Sequence, residues 1–302
     1  MRRILPLLAL AAISAPAIAS GDPGLPAAIY TDPAADADHP ARMETLHIPT
    51  GGVEINAIAY LASGKGPHPT LVICHGWPGN EKNLDLAQAV RRAGWNAITF
   101  NYRGSWGSPG SFRFSNNPQD AAAVLAYLRD PANAQELGVD PARMAIIGHS
   151  MGGWVAAMTA GTDEDLIGMG QISAANMGWV GRLERADLAK RSAGNAETLA
   201  DTSPEQMADE LIAGQAANDF LQYAPNLADK SLLILSSDDN LAFMTDALVA
   251  AVREAGGTRV TAIHEATDHS WSDKRIALQA HVIRWLEMLT PETEQVQPAS
   301  SE

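Results

Sequence analysis

From Thr70 onward the chain alternates short apolar runs with longer amphipathic ones. The runs are Thr70 to Cys74, Asn96 to Tyr102, Met144 to Ile147, Gly168 to Ile172, Leu232 to Ser236 and Val260 to His264. Each has the length and β-branched content of a buried strand. Between them, apolar positions recur at helical spacing over Asn83 to Ala93, Gln119 to Arg129, Met151 to Ala160 and Leu241 to Ala255, with a last helix over Lys274 to Leu289. Upstream, Leu46 to Pro49 and Val53 to Leu61 alternate apolar and polar residues around Thr50-Gly51-Gly52, which predicts a β-hairpin. A hairpin feeding strands that alternate with helices predicts an α/β domain built on a mostly parallel sheet of eight strands with helices on both faces. Asn117-Pro118 reads as a cap and first-turn proline, and Gly256-Gly257 as a helix stop.

One segment breaks the alternation. Residues 176–228 separate two strands and are too long for a plain crossover. Leu183 to Ala189 and Pro204 to Gln222 read as helices, and Trp179, Leu211, Ile212, Phe220 and Leu221 give them apolar faces, so the segment is expected to be a small helical cap. Domain boundaries follow: a lead-in at 20–42 rich in Pro, Ala and Asp, a folded domain at 43–289 with the cap at 176–228, and a disordered tail at 290–302.

Residues 1–19 order a basic start at Arg2-Arg3, an apolar stretch and a small-residue end at Ala17-Ile18-Ala19. That is the order of a secretory signal and implies export to the periplasm or medium, with no stable membrane span once it is removed. A net charge of −14 argues against nucleic acid as a partner. The single cysteine, Cys74, rules out an intramolecular disulfide and sits where a strand ends, so packing is its expected role. No His-Glu-x-x-His or paired-cysteine spacing is present, and Gly168-Met169-Gly170 lacks the third glycine of a dinucleotide loop, so neither a metal nor a cofactor is expected.

The chemistry concentrates at Gly148-His149-Ser150-Met151-Gly152, where an apolar strand runs through Gly-x-Ser-x-Gly into a helix. A sharp turn there lifts the Ser150 hydroxyl above the sheet, and glycines flank it because side chains would strike neighbouring backbone. Serine needs a base to take its proton and a third group to orient that base. The polar loop Thr267-Asp268-His269-Ser270 offers His269 as the base, whereas His264 and His281 fall at a strand end and within a helix. The acid is Asp239 or Asp238 after the strand ending at Ser236; the spacing favours Asp239 and leaves Asp238 as a helix cap. Backbone N–H groups of Met151 and of Trp77, in His75-Gly76-Trp77-Pro78-Gly79, are the candidate oxyanion donors. Trp106 is a candidate substrate contact, with Trp77, Trp154 and Trp179 also expected near the mouth.

Over residues 43–289, in strand order, elbow, oxyanion loop and order of Ser, acid and His, the chain resembles the α/β-hydrolase superfamily. Asn101-Tyr102-Arg103-Gly104-Ser105-Trp106-Gly107 resembles a loop of its prolyl-oligopeptidase-like and dienelactone-hydrolase-like branches. The resemblance implies serine-type acyl transfer with Ser150, Asp239 and His269 as triad. The dienelactone branch typically carries cysteine and the dehalogenase branch aspartate where Ser150 stands, so neither of those activities carries over, and a chain too short for the propeller of large prolyl oligopeptidases weakens a dipeptidyl-peptidase reading. The expected function is hydrolysis of small or medium carboxylic esters. A peptidase or amidase with the same triad is the alternative, and a non-catalytic binding protein of this fold is a third reading.

Overall fold

The computed structural model describes residues 24–290; the expected signal sequence at 1–19 and the tail beyond Thr290 lie outside the described residues. Eight strands form one sheet: β1 (Arg42–Thr50), β2 (Val53–Leu61), β3 (His68–Cys74), β4 (Asn96–Phe100), β5 (Val139–His149), β6 (Gly168–Ile172), β7 (Ser231–Ser237) and β8 (Val260–Glu265). Their spatial order is β1-β2-β4-β3-β5-β6-β7-β8. β1 and β2 form the expected hairpin, β2 joins β4 antiparallel, and every pairing from β4 to β8 is parallel. β1 begins at Arg42 rather than Leu46 because its first residues lie on an exposed edge, with Met43 59% exposed, and carry no apolar signal.

Among the described residues ten α-helices accompany the sheet: α1 (Leu84–Arg92), α2 (Asn117–Arg129), α3 (Pro131–Leu137), α4 (Met151–Ala160), α5 (Met177–Val180), α6 (Arg185–Ala193), α7 (Pro204–Ala213), α8 (Ala224–Leu227), α9 (Ala242–Glu254) and α10 (Arg275–Leu289). Successive strand residues feed opposite faces. Leu71, Ile73, Ala145, Ile147, Leu233 and Leu235 pack with Leu86 and Val90 of α1 and Leu278, Val282 and Trp285 of α10. Val72, Cys74, Met144, Ile146, Leu232 and Ile234 face α2, α4 and α9. α4 is buried along nearly its whole length, which explains why its sequence is apolar all round rather than amphipathic.

Local signals account for most helix ends. α3 was not anticipated, yet Asp130 accepts from the N–H groups of Ala132 and Asn133, and Gly138 ends the helix at φ 63°. Gly256 at φ 95° follows α9 as expected. Asn117 is not a cap: it lies inside α2, buried, with Nδ2 donating to Met151 Sδ at 3.4 Å.

The cap region departs from expectation in its helix boundaries, with α5 and α8 not expected. Pro204 to Gln222 is not a continuous helix, because α7 stops at Ala213 and a turn follows Gly214, before a 3-10 turn at Phe220–Tyr223. Asn218 pins that connection, its carbonyl accepting from Gly178 N and from Trp154 Nε1 at 2.8 Å. Leu188, Met207, Leu211 and Phe220 of this region join the same core as Met151 and Trp154, so the cap has no core of its own.

Candidate active site

Four of the loops that leave the carboxyl ends of parallel strands converge, as open α/β sheets allow. They follow β3, β5, β7 and β8, and bring Trp77, Ser150, Asp239 and His269 to one cavity of about 350 Å³. The turn after β5 holds Ser150 at φ 57°, ψ −123°, a strained conformation for a residue with a Cβ. Tight packing permits nothing larger on either side: a Cβ on Gly148 would lie 1.9 Å from Gly152 O, and one on Gly152 would lie 2.2 Å from Cys74 O. The turn is tied down by Ser150 N donating to Ile172 O at 2.9 Å and Ala175 N to Ser150 O at 3.1 Å.

His269 Nδ1 donates to Asp239 Oδ2 at 2.7 Å, and Asp239 Oδ1 accepts from Leu241 N at 2.9 Å. The Asp239 side chain is 5% exposed and that of His269 38%, so the carboxylate sits behind an accessible imidazole. Burial pushes the Asp239 carboxyl up, but the hydrogen bonds from His269 and Leu241 outweigh it and hold the group below its usual value. With Nδ1–H committed to the carboxylate, the Nε2 lone pair of His269 faces away from it.

The two aspartates differ in their partners, and the expected cap is corrected by the same contacts. Asp238 caps nothing; its Oδ1 accepts from His264 Nε2 at 3.0 Å on the surface, while Asp239 meets both His269 and the N–H of Leu241. His264 and His281 are held in structural contacts, with Ser236 and Asp238 for the first and Glu265 for the second.

Two sets of contacts around this pair went unread in the sequence. His149 Nε2 donates to the carbonyl of His269 at 2.8 Å, with the rings 4.7 Å apart, so the residue before Ser150 fixes the loop that carries His269. Burial drives His149 down to about 4, leaving it neutral with Nδ1 buried and unpartnered. Close to Asp239 in the chain, Ser237 shares a hydrogen bond of 2.7 Å with Ser173, whose Oγ accepts from Trp271 Nε1 at 3.0 Å. Only His149 had a sequence signal, its place inside the elbow.

Trp77 and Met151 line the cavity with Ser150. Met151 opens α4, and first-turn N–H groups have no partner within a helix. Beside them, His75 is buried, driven down to about 4 by burial, and its Nδ1 donates to Gly76 O at 2.8 Å. Trp106 is not brought to the cavity. Its Nε1 donates to Pro78 O at 2.8 Å and Lys82 Nζ lies 4.3 Å over its ring, which holds the indole on the outer side of the loop. Trp154 is wholly buried, and Trp179 packs on Phe243 with ring centroids 5.0 Å apart. Cys74 is buried, its thiol pushed up to about 12. Among the described residues no cluster of His, Cys, Asp or Glu is arranged to hold a metal.

The topology and the elbow define an α/β-hydrolase fold, and the relatives agree. Residues 58–177 match the BD-FAE family model. An uncharacterized protein of Mycobacterium tuberculosis, present in two strains, is 29% identical over 125 residues, which span 41% of this chain and 43% of that protein. The chain thus matches less than half the length of its curated relatives. Among solved structures, a 2,6-dihydroxy-pseudo-oxynicotine hydrolase superposes with TM-score 0.63 at 17% identity, over 84% of this chain and 69% of the other. A puromycin-hydrolyzing peptidase of M. tuberculosis gives 0.62 at 16%, over 84% and 40%. The carboxylesterase EstE1, from a metagenomic library, gives 0.59 at 21%, over 84% and 91%. At these identities the likeness is one of fold.

Proposed function

We propose that the protein is a serine hydrolase that cleaves carboxylic esters of small or medium substrates through an acyl-enzyme on Ser150. The observation that carries this reading is the strained Ser150 turn opening into the same cavity as the His269–Asp239 pair. Asp239 holds His269 in the tautomer whose Nε2 accepts a proton. Ser150 Oγ attacks the ester carbonyl as its proton passes to His269, and the N–H groups of Met151 and Trp77 take up the charge that develops on the carbonyl oxygen. His269 then protonates the departing alkoxide, and water, deprotonated by the same imidazole, releases the acid. A cavity of about 350 Å³ is at the small end of ligand sites and suits a short ester.

A fluorophosphonate probe tests the reading. Labelling of the folded protein at Ser150, lost on denaturation and in Ser150→Ala, supports it; a folded protein that neither labels nor turns over any short-chain ester overturns it. Amide cleavage passes through the same intermediate, and a peptidase likeness accompanies the esterase ones. Matched 4-nitrophenyl ester and 4-nitroanilide substrates separate the two, and faster anilide turnover would replace ester by amide as the reaction. Export is part of the same proposal, supported by the order of residues 1–19. An N-terminus at Ser20 in protein recovered from outside the cytoplasm is the expected result.

A further inference from the structure

The walls of the Ser150 cavity are mostly apolar, supplied by Trp77, Met177, Val180 and Leu241, with one permanent cation among them, Arg191. Arg191 stands in the last turn of α6, within the cap. The other arginines of this part of the cap are paired, Arg182 with Asp219 at 2.7 Å and Arg185 with Asp209 at 2.6 Å. Among the described residues the Arg191 guanidinium has no carboxylate partner; only its backbone carbonyl is engaged, accepting from Asn195 Nδ2 at 3.0 Å. A cation at a helix C-terminus is favoured by the dipole, but Lys190 already supplies one and does not line the cavity. Asp239, the one acidic side chain on the cavity wall, is engaged by His269 and by the N–H of Leu241.

We infer that Arg191 recognises substrate, and that the ester this site prefers carries a carboxylate elsewhere in the molecule, which pairs with the guanidinium while the ester carbonyl meets Ser150. The inference rests on the serine-hydrolase reading and names its substrate class. A guanidinium presents a planar fork that matches a carboxylate, and Arg191, though exposed to solvent, borders the apolar cavity wall, so it can serve selectivity while adding little binding energy. The acidity of the rest of the protein, −14 overall, sharpens the point: its long-range field repels anions, so selectivity for one has to come from a local cation.

The experiment compares two anionic esters with their neutral methyl esters. Mono-4-nitrophenyl adipate carries the carboxylate on the acyl side, and 4-acetoxybutyrate carries it on the alcohol side. The expected result is that, for one pair, kcat/KM of the anion exceeds that of the neutral ester by about tenfold or more in low salt. Arg191→Gln should bring that ratio to about one or below, and Arg191→Lys should keep part of it. Ratios at or below one for both pairs in the wild type, or a ratio that survives in Arg191→Gln, would overturn the inference. Neutral-ester turnover and fluorophosphonate labelling report separately on the hydrolase reading. Should no ester be turned over, calorimetric titration of monomethyl adipate into wild type and Arg191→Gln still decides the role of Arg191. A Kd at least tenfold weaker in the variant supports it, and equal affinity or no binding to either overturns it.

Discussion

The elbow and the cap face each other across one cavity and are built in opposite ways. Around Ser150 the geometry is set by backbone: a positive φ, glycines in contact with neighbouring main chain, and loops hung from strand ends. In the cap, four short helices and a 3-10 turn take their positions from side chains, Leu188, Met207, Leu211 and Phe220, sunk into the core that surrounds α4. The first kind of construction leaves little room for change, because each glycine already touches neighbouring main chain. The second is free to vary, and here it places Met177, Val180 and Arg191 around the cavity. The proposed chemistry and the proposed selectivity thus rest on different physical supports.

The sharpest way to break the contrast is at the elbow. Ser150→Ala should lower kcat/KM for a short 4-nitrophenyl ester by about 10⁴- to 10⁶-fold with the melting temperature little changed. Asp239→Asn should cost about 10³- to 10⁴-fold, because the amide no longer selects the useful His269 tautomer, whereas Asp238→Asn should stay within about threefold. Equal losses at the two aspartates would reverse the assignment drawn from their hydrogen bonds.

On the cap side, Leu211→Ala should destabilise the whole protein by about 2–5 kcal/mol in a single unfolding transition, since the cap shares the central core. Two transitions in calorimetry would instead make the cap an independent unit. The elbow and the loop beside it also answer to acid. His75 and His149 are held neutral, near 4, in the folded protein, while the unfolded chain titrates them near the usual imidazole value of about 6.5. The unfolded state therefore binds more protons between those values, and stability falls as pH drops from about 6.5 towards 4. By pH 5 the loss should be about 2 kcal/mol for each histidine, and His149→Asn should flatten its share of a stability profile measured by denaturant titration. The smallest effect is expected at Trp106→Phe, within about twofold in KM, because that indole binds Pro78 O rather than lining the cavity.

The alternation of strand and helix was legible because burial on two faces leaves continuous apolar runs, and the expected strands coincide with β2 to β8 to within two residues except at β5, which starts at Val139 rather than Met144. β1 was read short, since an exposed edge needs no apolar pattern. Three short helices, α3, α5 and α8, fell below the length at which a period can be counted. At the site, Ser150, Asp239 and His269 were legible by their positions relative to strand ends, and the structure gathers all three. Trp106 was not legible in the same way, and its indole meets Pro78 O rather than lining this cavity. A loop tryptophan looks the same in sequence whether its indole faces a cavity or a neighbouring carbonyl.

By itself the sequence determined the order of strands and helices, the turn at Ser150 and the short list of polar residues beside it, because periodicity, glycine positions and chain order are local properties. Only the tertiary structure paired Asp239 rather than Asp238 with His269, joined His149 to the His269 carbonyl, linked Trp271, Ser173 and Ser237, and set Arg191 on the wall of the Ser150 cavity. These contacts link residues about 30 to 120 positions apart, and such meetings are decided by how the elements pack rather than by any spacing along the chain.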